Sequence, residues 1–154
     1  MPENPPGHFC LVSGSGEADT ELNAFDRALL SAGIGDLNLV KVTSIVPPGA
    51  NPENPKNIKP GSIVHAAYSC CRSEITGERI AAAVAVGIPG DQKKPGVIME
   101  CSGKMAAEEL EKNVREMVVC ALSDRCVDEY SIQSVSGEYY VKRNAVIIAA
   151  VLLW

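Results

Sequence analysis

The 154-residue chain has only two histidines, His8 and His65. With His8 beside a Pro-rich N-terminus, a Ser-His-Asp or Cys-His system lacks material, and His65, in an apolar strand, reads as structural. None of the six cysteines stands in a C-x-x-C pair, and Cys70 and Cys71 are neighbours that a strand points to opposite faces, so no metal site is expected. Gly14-Ser15-Gly16-Glu17 is followed by no Gly-Lys-Ser/Thr and no third glycine at dinucleotide-binding spacing. It reads as a tight strand-to-helix connection, not a phosphate cradle. Basic residues cluster no further than Lys93-Lys94 or Lys142-Arg143, and the net charge is -5. That excludes nucleic acid or an anionic membrane surface as the main partner and leaves a cationic ligand easier to accommodate.

The longest apolar run, Ala145 to Trp154, is ten residues and too short to cross a bilayer. The opening MPENPPGHF lacks a charged segment followed by an apolar one and is not expected to be a signal peptide. A cytoplasmic protein is therefore expected, with reduced cysteines packing as small hydrophobes. At 46% apolar and 21% charged, the composition fits one globular domain with a real core.

Residues 1 to 7 are expected to be loose or extended and His8 to Ser13 to form a strand. Asp19 or Thr20 is placed to cap a helix with Leu22, Phe25, Leu29 and Ala32 on one face and Gly33 at its end. Leu37 to Val46 reads as a strand, and Pro47 to Pro60, with five prolines, as an irregular loop. Ser62 to Arg72 and Arg79 to Ile88 are small-residue apolar strands closely covered on both faces, and SEITGE between them predicts a hairpin. Val97 to Glu100 is a strand in which Ile98 and Glu100 share a face. Ser102 is placed to cap a long helix over about 104–125, with Leu110, Val114, Met117, Val118, Ala121 and Leu122 as its apolar stripe. Two strands, 129–135 and about 142–154, follow, with Ser136-Gly137-Glu138 as their turn. Seven strands and two widely separated helices predict an α+β sandwich, its sheets packed together and its helices outside.

The chain therefore offers no ordinary active site unless it makes its own electrophile. In LNLVKVTSIVPPG, residues 37 to 49, a strand runs into Thr43-Ser44 and is bent away by Pro47-Pro48. A serine hydroxyl held against the preceding carbonyl can attack it, replacing the peptide bond by an ester. The step needs a near-attack geometry and a donor for the oxyanion. Elimination then frees Thr43 as a new C-terminus and leaves Ser44 as dehydroalanine, which hydrolyses to a pyruvoyl group with loss of ammonia.

The segments GSGEADTELNAFDRALLSAGIGDLNLVKVTSIVPPG (14 to 49), GVIMECSGK (96 to 104), KNVREM (112 to 117) and AAVLLW (149 to 154) closely resemble the pyruvoyl-dependent arginine decarboxylases. The resemblance implies a single domain with an αββα four-layer sandwich of largely antiparallel sheets, self-cleaved between Thr43 and Ser44 into chains of residues 1–43 and 44–154. It implies L-arginine as substrate, agmatine and carbon dioxide as products, and a covalent pyruvoyl group from Ser44 in place of pyridoxal phosphate, reacting through a Schiff base with the substrate amine. By the same resemblance Asn38 assists self-processing, Glu100 is the proton donor, Asp26 meets the guanidinium, and cleaved protomers form a homotrimer with active sites between neighbours. Two rival expectations stand beside it. One is the same mechanism on another amino acid, and the other is an unprocessed trimeric scaffold or binding protein without catalysis.

Overall fold

The computed structural model describes residues 4–154, so residues 1–3 of the Pro-rich N-terminus lie outside the described residues, and residues 4–7 have no regular structure. The elements are β1 (His8–Glu17), α1 (Glu21–Ser31), β2 (Asn38–Lys41), β3 (Ile45–Val46), β4 (Asn51–Pro52), β5 (Ile63–Ser73), β6 (Arg79–Pro89), β7 (Gly96–Gly103), α2 (Ala107–Ser123), β8 (Tyr130–Tyr140) and β9 (Ala145–Leu153). One sheet has the order β2-β5-β9-β1-β4 and the other β3-β7-β6-β8. Most pairings are antiparallel; β2 with β5 and β1 with β4 are parallel. The expected α+β sandwich with outer helices is what forms.

Side-chain alternation builds the layers. In β6, Ile80, Ala82, Val84 and Val86 face the other sheet, while Ala81, Ala83 and Ala85 meet Leu110, Val114, Val118 and Leu122 of α2. In β9, Ile147, Ala149 and Val151 face the inter-sheet core, while Val146 and Ile148 pack with Ala24 and Ala28 of α1. Burial on both faces is why these strands read as continuous apolar runs.

Several local expectations are overturned by this arrangement. Ser62–Arg72 and Arg79–Ile88 do not form a hairpin, because β5 pairs with β2 and β9 whereas β6 pairs with β7 and β8. SEITGE instead crosses between layers, since two strands buried on both faces each take a place inside a different sheet. Ser136-Gly137-Glu138 is no turn but the interior of β8, and β9 lies in the opposite sheet. Gly14 and Gly16 are strand residues of β1; a Cβ on either would lie 2.4 Å from backbone atoms of Ala28, so their role is to let α1 approach. Thr20 caps α1, accepting from the Asn23 N–H at 3.2 Å, while Asp19 pairs with Arg143. Ser102 lies in β7 and does not cap α2. The N–H of Ala107 is met by the Glu138 carboxylate at 3.0 Å. Leu22 (77% exposed) and Met117 lie off the buried stripes of their helices. No helix of the described residues is long and apolar enough to cross a membrane.

Candidate active site at the sandwich edge

The predicted strand 37–46 is broken into two short strands at Thr43-Ser44. Its first part, β2, is the edge of the five-stranded sheet; its second, β3, is the edge of the four-stranded sheet. Val42 still donates its N–H to Ala66 O of β5 at 3.0 Å, whereas Ser44 O already accepts from the Ile98 N–H of β7 at 2.8 Å. Thr43 is the step between the sheets. The Thr43-Ser44 bond is therefore fixed at both ends by ladders belonging to different layers. Thr43 is exposed and Ser44 half-buried.

Beyond this crossing both sheet edges stay open. Ala66 turns its carbonyl toward Val42, so by alternation Tyr68 and Cys70 turn theirs to the same side, where β2 no longer runs. Glu100 stands two residues past Ile98 on β7, about 7 Å along the strand, and beyond the last β3 pairing. Ile98 packs in the inter-sheet core and Glu100 shares its face. Oε2 of Glu100 is buried without a hydrogen-bond partner among the described residues. Burial pushes its carboxyl above the usual carboxylate range, and the charge of Lys41 opposes the rise. An orphaned buried oxygen is costly in a purely structural side chain, which makes Glu100 the candidate acid at this edge.

Lys41, two residues before Thr43, rests its Nζ 4.7 Å from the Tyr68 ring centroid and also acts on Cys70. His65, read from sequence as structural, lines an open pocket of about 260 Å³ with Val42, Thr43, Ile45, Pro47 and Leu153. Asn38 and Asp26 stand apart from this edge within the protomer. Asn38 is at the far end of β2, about 10 Å from Lys41, and its amide donates to Gly61 O at 2.9 Å. Asp26 is exposed on α1, which covers the opposite face of the five-stranded sheet. The structure thus brings Thr43, Ser44 and Glu100 together and leaves Asn38 and Asp26 on outward surfaces. Lys41 was not singled out from the sequence, although it stands two residues before Thr43; the position of His65 depends on long-range pairing and had no sequence signal.

A family model described as pyruvoyl-dependent arginine decarboxylase matches residues 8–152. The chain belongs to that family. Curated relatives agree along nearly the whole length. The pyruvoyl-dependent arginine decarboxylase of Methanocaldococcus jannaschii is 42% identical over 149 residues, covering 97% of this chain and 90% of the relative. That of Methanococcus aeolicus is 41% identical over 153 residues, with 99% and 93% covered. That of Pyrococcus abyssi is 36% identical over 152 residues, with 97% and 96% covered. Family members are carbon-carbon lyases that depend on a covalent pyruvoyl group, which excludes dependence on pyridoxal phosphate. The residues here suit such a group. Ser44 sits at the step between the sheets with its carbonyl anchored, and an unsatisfied acid lies two residues along the anchoring strand.

Proposed function

We propose that this protein decarboxylates L-arginine to agmatine, using a pyruvoyl group made by self-cleavage between Thr43 and Ser44. The observation that carries the reading is the anchoring of Ser44 O on Ile98, with the partnerless Glu100 oxygen beside it. In self-processing the Ser44 hydroxyl attacks the Thr43 carbonyl, and the ester forms as the amide C–N bond breaks. Loss of the Ser44 Cα proton then expels Thr43 as a carboxylate, and water releases ammonia from the dehydroalanine.

The two anchors make cleavage compatible with the fold. Val42 keeps the new C-terminus on the five-stranded sheet, and the Ser44 carbonyl that Ile98 holds is not consumed by the chemistry. Residues 1–43 supply β1 and β2, interleaved with β5, β9 and β4 from residues 44–154. Separating the two chains therefore requires unfolding that sheet.

A pyruvoyl group formed at Ser44 would supply a ketone able to bind the substrate amine and an electron sink for the loss of carbon dioxide. Glu100, whose hold on its proton burial strengthens, returns a proton to the substrate α-carbon. Asp26 faces the guanidinium, for which a carboxylate offers bidentate hydrogen bonds. Asn38 donates to the Thr43 oxyanion during processing. Because Asp26 on α1 and Asn38 at the far end of β2 are exposed and stand apart from their own Ser44, we place them in the site of a neighbouring copy, in a closed homotrimer. The unpaired edges of β2 and β3 support this: Val40 of β2 and Ile45 of β3 are 46% and 42% exposed, and Ile63 beside β2 is 72% exposed. Six free thiols suit the reducing cytoplasm as the working compartment.

The test is an intact-mass measurement of active protein under denaturing conditions. A 43-residue and a 111-residue chain are expected from the 154 residues; one full-length mass from turning-over protein would refute the mechanism.

A further inference from the structure

Past the crossing, the open edges of β5 and β7 are joined by a reciprocal pair of hydroxyls. Ser69 Oγ of β5 donates to Cys101 O of β7 at 2.8 Å, and Ser102 Oγ of β7 donates to Cys70 O of β5 at 3.0 Å. These strands belong to different sheets and share no ladder. The Cys70 carbonyl faces the side that β2 has left, four residues past the last β2 pairing at Ala66, so Ser102 supplies a partner that the sheet lacks there. Glu100 lies between this junction and the Thr43-Ser44 step. Ser102 and Glu100 share one face of β7, and the Glu100 Oε2 atom is closed off from solvent.

We propose that Ser69 and Ser102 are positioning residues: their paired hydroxyls staple the two sheets beside Glu100 and keep water from its carboxyl. The inference rests on Glu100 being the acid of the proposed reaction. A sandwich edge that has lost its edge strands would otherwise splay, because apolar packing is non-directional and does not set the spacing of two open backbones. Two hydrogen bonds in opposite directions fix that spacing, and the one to Cys70 O satisfies a carbonyl that would otherwise recruit water. Lys41 from β2 and Cys101 on its own strand are coupled to the carboxyl by charge, and Cys71 of β5 shares the inter-sheet core, whereas Tyr68 and Cys70 lie on the α1 face of β5. Lys41 favours the charged carboxylate, and burial opposes it. Letting water in weakens the burial side of that balance, so Glu100 loses its proton at lower pH.

The experiment compares pH profiles of kcat for arginine in mature wild type, Ser69→Ala, Ser102→Ala, the double variant and Ser102→Thr. The alkaline limb is expected to move down by roughly one pH unit in the double variant and by less in each single one. Ser102→Thr keeps a hydroxyl and should leave the limb in place. A double variant that matures, melts like wild type and shows an unmoved limb would overturn the proposal. Where the double variant does not mature, the single variants decide by the same criterion. Glu100→Gln separates the two levels. If it retains wild-type turnover, the acid assignment and the inference resting on it both fall; if it loses turnover while the serine variants keep their limbs, only the staple is wrong.

Discussion

Two glutamates on opposite faces of the four-stranded sheet are treated in opposite ways. Glu111 of α2 accepts from Ser134 Oγ at 2.7 Å and from Ser136 Oγ at 2.6 Å, one hydroxyl for each oxygen. Those two hydroxyls, aided by Arg115, hold its carboxyl below the usual range against the opposing effect of burial. Glu100 faces the inter-sheet space with one oxygen partnerless, and burial holds its carboxyl high. Serines stand near both, but those beside Glu100 spend their hydroxyls on backbone carbonyls. Hydroxyl donors favour the ionised form of a carboxylate, and burial without them favours the protonated form.

The largest test of that contrast removes the electrophile itself. Ser44→Ala should leave a single full-length chain on denaturing mass analysis and no arginine turnover at all. Next, Glu100→Gln should still give two chains but lower kcat by about 10²- to 10⁴-fold, whereas Glu111→Gln should mature and turn over within a few-fold of wild type. Equal losses in the two variants would break the comparison. Third, Asp26→Asn should raise KM for arginine about 10- to 100-fold, the value of a charge-assisted hydrogen bond. Co-expressing it with Ser44→Ala should recover activity if sites lie between copies, and no recovery would place Asp26 within its own protomer's site.

The smallest effect is on stability and has opposite signs at the two residues. The folded pKa of Glu111 is lowered, so its contribution is present above the unfolded glutamate value of about 4.3 and is lost as pH falls through the folded value. The folded pKa of Glu100 is raised, so its contribution is present below about 4.3 and is lost as pH rises through the folded value. In the uncleaved Ser44→Ala background, thermal melts from pH 4 to 8 should favour Glu100→Gln increasingly over its parent and disfavour Glu111→Gln. Each effect should be at most about 1 kcal/mol after solvent screening. Curves that diverge the same way would contradict the assignment.

How much of this was legible in the sequence differs by element. The α2 stripe of Leu110, Val114, Val118, Ala121 and Leu122 follows from helical period, and the double-sided apolar runs of β6 and β9 announce burial on both faces. The hairpins failed because a turn signal such as SEITGE says that the chain reverses, not whether the next strand pairs in the same sheet. Gly14 and Gly16 misled because a close helix approach and a turn ask for the same residue.

The site divides in the same way. Thr43-Ser44 as a suspicious step, and Glu100 on the face of Ile98, came from local pattern, since strand alternation is set by neighbouring residues alone. That Ser44 is held by β7 while Val42 is held by β5, that Glu100 lacks a partner, and that Ser69 and Ser102 bridge the sheets were decided only by tertiary structure. Each joins residues more than twenty positions apart, and hydrogen-bond satisfaction depends on which strands end where. No periodicity in one stretch of chain encodes where a strand elsewhere stops.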